Sequence, residues 1–171
     1  MTQLKTGNTL RHTKPTKKLL LVDLDGCVAP MGAVPEENAP LIIAGDWATW
    51  QVSLNVQLWL ESLPLDVEVR WASAWESYIE PVNAALGTDF DHLEFESDSP
   101  SFEWFKLQTV RAIVESGKYS TIVWVDDDLE ESSEALAGKH SELHLVRPDP
   151  TLGLTRSELA AIDVILRGQR H

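Results

Sequence analysis

A chain of 171 residues, 43% apolar and 24% charged, is long enough for one domain with a sizeable core, and no apolar run in it approaches a membrane span. The formal charge of −13 disfavours a nucleic-acid or anionic-membrane surface. The single cysteine, Cys27, excludes an internal disulfide and, with no long apolar core near the N-terminus to suggest a secretory signal, fits a reducing cytoplasm.

Residues 1–18 carry Lys5, Arg11, Lys14, Lys17 and Lys18 and no acid, which reads as a mobile basic tail. One domain is expected over residues 19–171. It opens on Leu19-Leu20-Leu21-Val22-Asp23-Leu24-Asp25-Gly26-Cys27. Four consecutive apolar residues predict a buried strand of a parallel sheet. Residues two apart on a strand share a face, so Asp23 and Asp25 can address one spot while Leu24 returns to the core. Gly26 permits a sharp turn or a close backbone approach. A buried strand that delivers two acids to its C-terminal end points to a carboxylate pair at the ligand-binding edge of an α/β sheet, around a divalent metal. The alternative is a solvated Asp-Gly turn.

Downstream, Leu41–Ile43 and Trp47–Val52 flank Gly45-Asp46 and predict a hairpin. Asn55–Leu63 predicts a short helix stopped by Pro64. Val67–Trp71 alternates apolar and charged residues, as a strand does. Ser73 and Glu76 form a capping-box pattern for a helix ending near Gly87. Phe90–Phe95 is a strand candidate in an acidic stretch. Ser99-Pro100 suits the start of a helix that Gly117 terminates. Ser120–Val125 predicts a buried strand running into Asp126-Asp127-Asp128, and Asp128 with Glu131 predicts a cap for a helix through Leu136. Leu143–Val146 is a last strand, and Thr155 with Glu158 is a capping box for a helix through Leu166. This order predicts an α/β fold, a Rossmann-like three-layer sandwich with a mainly parallel sheet and a small β-hairpin flap at about residues 28–52. Asp23, Asp25, Ser73 and Asp126 all fall at predicted strand ends, hence on one edge.

Four pieces then stand in order: Asp23-Leu24-Asp25-Gly26 after an apolar strand, Ser73 after a strand, Lys106 on a helix, and Asp126-Asp127 after an apolar strand. This set resembles the haloacid dehalogenase (HAD) superfamily of phosphohydrolases over residues 19–128. The short stretch between the first two pieces leaves room for a flap rather than a large cap domain. Cys27 stands where many relatives have Thr. The resemblance implies a Mg²⁺-dependent phosphatase in which Asp23 attacks phosphorus and Asp25 is the acid/base. It implies metal ligation by Asp23, the Asp25 backbone carbonyl and Asp126, with Asp127 as an outer or alternate ligand. Ser73 and Lys106 would bind the phosphoryl group. Oxygen-only ligands suit Mg²⁺.

Each residue also has a simpler reading. Ser73 is explained as a helix cap and Lys106 as a solvated lysine, with Arg111 and Lys118 as alternatives. Cys27 is explained as a small apolar filler, and the tryptophans as core, with Trp47 and Trp50 of the flap as lesser candidates for substrate contact. The expected partner is a phosphorylated substrate. A polynucleotide-end or phosphoprotein phosphatase and a non-catalytic interaction domain are the alternatives. A receiver domain is excluded because its acidic pair precedes its phosphorylated Asp.

Overall fold

The computed structural model describes residues 16–44, 49–95 and 104–168. In chain order the elements are β1 (Lys18–Val22), the hairpin strands β2 (Leu41–Ala44) and β3 (Thr49–Val52), α1 (Leu54–Glu61), β4 (Val67–Trp71), α2 (Ile79–Leu86), β5 (Asp91–His92), α3 (Phe105–Glu115), β6 (Thr121–Val125), α4 (Glu131–Ala137), β7 (Leu143–Val146) and α5 (Arg156–Arg167). Five strands form one parallel sheet in the order β5-β4-β1-β6-β7, and β2 and β3 form a separate antiparallel pair. The fold is a Rossmann-like three-layer α/β sandwich. No helix among the described residues is long and apolar enough to cross a membrane.

The apolar run of β1 follows from its central place. Leu20 and Val22 face one core with α1, α2, α5 and the hairpin, while Leu19 and Leu21 face the other with α3 and α4. A strand covered on both faces has no polar side to offer. On the first face, Trp59 of α1 also donates to Asp163 of α5 at 3.0 Å.

The register places the functional edge. Val22 pairs with Trp71 on one side and Val125 on the other. One residue further on, Asp23 N donates to Val125 O at 3.0 Å and Ala72 N to Val22 O at 2.8 Å. Asp23 and Asp126 therefore leave the sheet at one level, on strands about 4.8 Å apart. From β1 the chain passes to β4, and from β6 it passes away to β7. That reversal opens a crevice between the C-termini of β1 and β6.

The loop after β1 is closed by distant chain. Leu154 N donates to Cys27 O at 2.8 Å, Met31 N to Pro150 O at 2.8 Å and Gly32 N to Thr151 O at 3.1 Å. Gly153, at φ 62°, lies so close that a Cβ would come within 2.6 Å of Cys27 O.

Several expected boundaries move. The basic tail was expected to reach residue 18, yet Lys18 opens β1 and pairs with Asp66 at 3.0 Å; residues 1–15 lie outside the described residues. The Gly45-Asp46 turn and Trp47 also lie outside them. The helix expected at Ser73 starts only at Ile79, after a 3₁₀ turn at Glu76–Tyr78. The Ser73 hydroxyl instead accepts from Trp75 N at 3.4 Å, and Trp75 sits at φ −91°, ψ 48°, outside the helical region. The helix expected from Ser99-Pro100, which are not described, starts at Phe105 with Trp104 extended before it. Asp128 does not cap α4; its N–H is drawn to Asp126 Oδ1 at 3.0 Å, and Glu130 takes the cap position. The expected strand at Phe90–Phe95 shortens to two residues. The Thr155–Glu158 capping box forms, with Thr155 N donating to Glu158 Oε2 at 2.8 Å.

Truncating the central strand should cost far more than truncating the surface. Leu20→Ala, at a fully buried position, is expected to lose about 3 kcal/mol in urea unfolding, and Leu65→Ala, fully exposed, less than about 0.5 kcal/mol.

Candidate active site

Asp23 follows β1 and Asp126 follows β6, and both are buried at the crevice. Lys106, in the first turn of α3, reaches between them. Its Nζ lies 2.5 Å from Asp23 Oδ2 and 2.8 Å from Asp126 Oδ2. A lysine in the first turn opposes the helix dipole, so this placement does not serve the helix. It serves the carboxylates. Trp104 helps hold it, stacking on Trp124 at 5.4 Å and lying 5.6 Å from the ammonium. Of the other basic residues considered, Lys118 goes elsewhere, 3.7 Å from Glu68.

The remaining carboxylate oxygens are held by the backbone. Leu24 N donates to Asp23 Oδ1 at 2.7 Å and Asp128 N to Asp126 Oδ1 at 3.0 Å. Asp127 completes the cluster: one oxygen from each of Asp23, Asp126 and Asp127 lies within 4.8 Å of the others. Gly26, at φ 68°, makes room for it, since a Cβ there would fall 2.5 Å from the Asp127 carboxylate. The glycine after the two acids is thus a steric requirement as well as a turn.

Three carboxylates share one ammonium. Burial pushes the Asp23 carboxyl up from 3.8 to about 6; Lys106 opposes the rise and Asp126 adds to it. Burial and the neighbouring Asp126 also raise Asp127. Burial alone would lower Lys106, but Asp23 and Asp126 outweigh it and hold the ammonium above its ordinary value. Burial pushes the Cys27 thiol up, and its side chain is wholly enclosed, which fits the filler reading. The donor set is all oxygen, carries surplus negative charge and is compact. It fits a hard divalent cation such as Mg²⁺.

Asp25 is turned away from this cluster. Trp50 Nε1 of β3 donates to its Oδ1 at 2.7 Å, and Trp75 Nε1 donates to its Oδ2. Ser73 is buried beside β4, its hydroxyl on Trp75 N and its carbonyl 2.8 Å from His92 Nε2. No hydrogen bond among the described residues ties Ser73 to the carboxylates, and it starts no helix that would add N–H groups. The structure therefore brings Asp23, Lys106, Asp126 and Asp127 together, and gives Asp25 and Ser73 other partners. Trp75 escaped the sequence reading, and Trp50 entered it only as a substrate contact. Neither indole has a spacing signal, because their shared target lies 25 and 50 residues away.

The raised Asp23 makes a pH prediction. Its folded-state value exceeds the unfolded one, so the folded chain binds the proton more tightly and stability falls as pH rises through about 4 to 6. In cation-free buffer the wild type should lose up to about 3 kcal/mol relative to Asp23→Asn across that window in urea titrations. Parallel pH curves for the two proteins would refute the shift. Comparison with protein-family models, with curated proteins and with solved structures finds no match to this chain.

Proposed function

We propose that the protein is a Mg²⁺-dependent phosphatase that hydrolyses a phosphomonoester through an aspartyl-phosphate at Asp23. The observation that carries this reading is the buried Asp23–Lys106–Asp126 contact with Asp127 beside it, at the crevice of a parallel sheet. The order of the four motifs, which resembles the HAD superfamily, supports it.

Asp23 is held for attack. Leu24 N and Lys106 fix its two oxygens, so the carboxylate meets phosphorus in one orientation. An Asp23 oxygen forms the new P–O bond as the bond to the leaving oxygen breaks. Asp25 gives its proton to that oxygen. In the second step a water attacks the same phosphorus and Asp25 takes the proton back, which frees phosphate and restores Asp23. Lys106 offsets the charge of nucleophile and phosphoryl oxygens throughout. Asp23, Asp126, Asp127 and the Asp25 carbonyl would hold Mg²⁺, which when bound supplies positive charge against carboxylates and phosphoryl oxygens.

The role of Asp126 beside Lys106 follows from charge. Removing Lys106 leaves buried acids uncompensated, and Lys106→Met should cost about 3–5 kcal/mol of stability at neutral pH, recovered in part by added Mg²⁺.

Two measurements test the function. The purified chain should release phosphate from an aryl phosphate only with Mg²⁺, and Asp23→Asn should lower kcat by at least about a thousandfold. Mg²⁺-dependent turnover surviving in Asp23→Asn refutes the mechanism. Mg²⁺ should also raise the Tm of the wild type and leave that of the Asp126→Asn/Asp127→Asn double variant unchanged.

A further inference from the structure

We propose that Trp50 and Trp75 are positioning residues for Asp25, their two indole N–H groups clamping its carboxylate so that the hairpin sets the aim of the acid/base. This rests on the phosphomonoesterase reading of Asp25. The donors come from different elements. Trp50 stands on β3, paired with Ile43 across the hairpin, and reaches Oδ1; Trp75 stands in the loop after β4 and reaches Oδ2. One donor on each oxygen fixes the plane of the carboxylate as well as its direction. An oxygen of a carboxylate accepts more than one hydrogen bond, so each keeps a lone pair for the leaving group or the water.

The indoles are themselves immobilised. Trp50, Trp75 and Tyr78 pack edge-on in a closed triad, with centroids 5.7, 5.4 and 5.7 Å apart. Trp50 is almost fully buried, and the Ser73 hydroxyl holds Trp75 N. Buried indoles usually find one partner for the N–H, though Trp124 is buried without one among the described residues, and two neighbouring indoles placing both donors on one partly buried carboxylate exceeds what packing requires. The arrangement explains why the chain after Ser73 leaves helical geometry: a helix starting there would not hold Trp75 in its present backbone conformation. It also gives the hairpin a task apart from packing on the core, because removing β3 removes half of the clamp.

The test uses the full chain with Mg²⁺ and ¹⁵N-labelled tryptophan. Trp50→Phe and Trp75→Phe keep a ring and delete one donor each. Trp59→Phe deletes a comparable indole bond, to Asp163, away from the site. The expected result is a 10- to 100-fold loss of kcat for each site variant, roughly the worth of one hydrogen bond to a charged group, with KM within about twofold and no such loss in Trp59→Phe. The indole N–H resonances of Trp50 and Trp75 should shift in Asp25→Asn, which retains one acceptor oxygen where there were two, while that of Trp59 stays. Unmoved indole resonances in Asp25→Asn overturn the clamp, as does a kcat loss no larger than that of Trp59→Phe. If the wild type hydrolyses no phosphomonoester, the functional reading fails by itself and the resonances alone decide whether the clamp holds Asp25.

Discussion

The structure depends on one buried ammonium. Lys106 sits between Asp23 and Asp126, and neither acid has another cation at hand among the described residues. Burying a carboxylate without a partner costs several kcal/mol, and β1 and β6 bury two at adjacent strand ends. The parallel register cannot place the apolar strands well without also placing the acids side by side. Lys106 is what makes that register tolerable, and it does so from the unfavourable end of its own helix. The arrangement is poor for the helix and leaves the acids in excess of their one cation. The surplus negative charge is the opening a divalent cation would fill.

Much of this was legible from the chain. The uniformly apolar Leu19–Val22 implied a strand covered on both faces, and its neighbours Val67–Trp71 and Ser120–Val125 carried enough pattern to place the sheet. Once three strands are parallel, their C-terminal residues share an edge, so Asp23 and Asp126 meet although 103 positions separate them. Lys106 was legible only through motif order. Nothing in its local sequence distinguishes it from a solvated lysine, and its burial results from where α3 docks.

The misreadings share a cause. Ser73 with Glu76 and Asp128 with Glu131 carry the local pattern of helix starts, and in each case a residue of the site claims the backbone or side chain first. Ser73 accepts from Trp75 N, in the turn that carries the indole to Asp25. Asp126 captures the N–H of Asp128, and α4 begins two residues late. Local propensity yields where a longer-range contact needs the same atoms. The tryptophans show the converse. Their apolar mass predicts core, and Trp50, Trp59, Trp71 and Trp124 are buried, but the N–H groups of Trp50, Trp59, Trp71 and Trp75 found their partners through tertiary geometry that no spacing encodes.

The backbone bonds from Pro150, Thr151 and Leu154 to the loop after β1 bear on how the molecule is made. Asp23 directly follows β1, yet the loop that leads on from it is sewn shut by residues synthesised only after β7. A nascent chain that has released β1, β4 and β6 already has its acids and its lysine, but the carbonyl of Cys27 still lacks the N–H of Leu154. The acids come before the residues that close their frame, so a chain interrupted before Pro150 would present them on an unfinished loop.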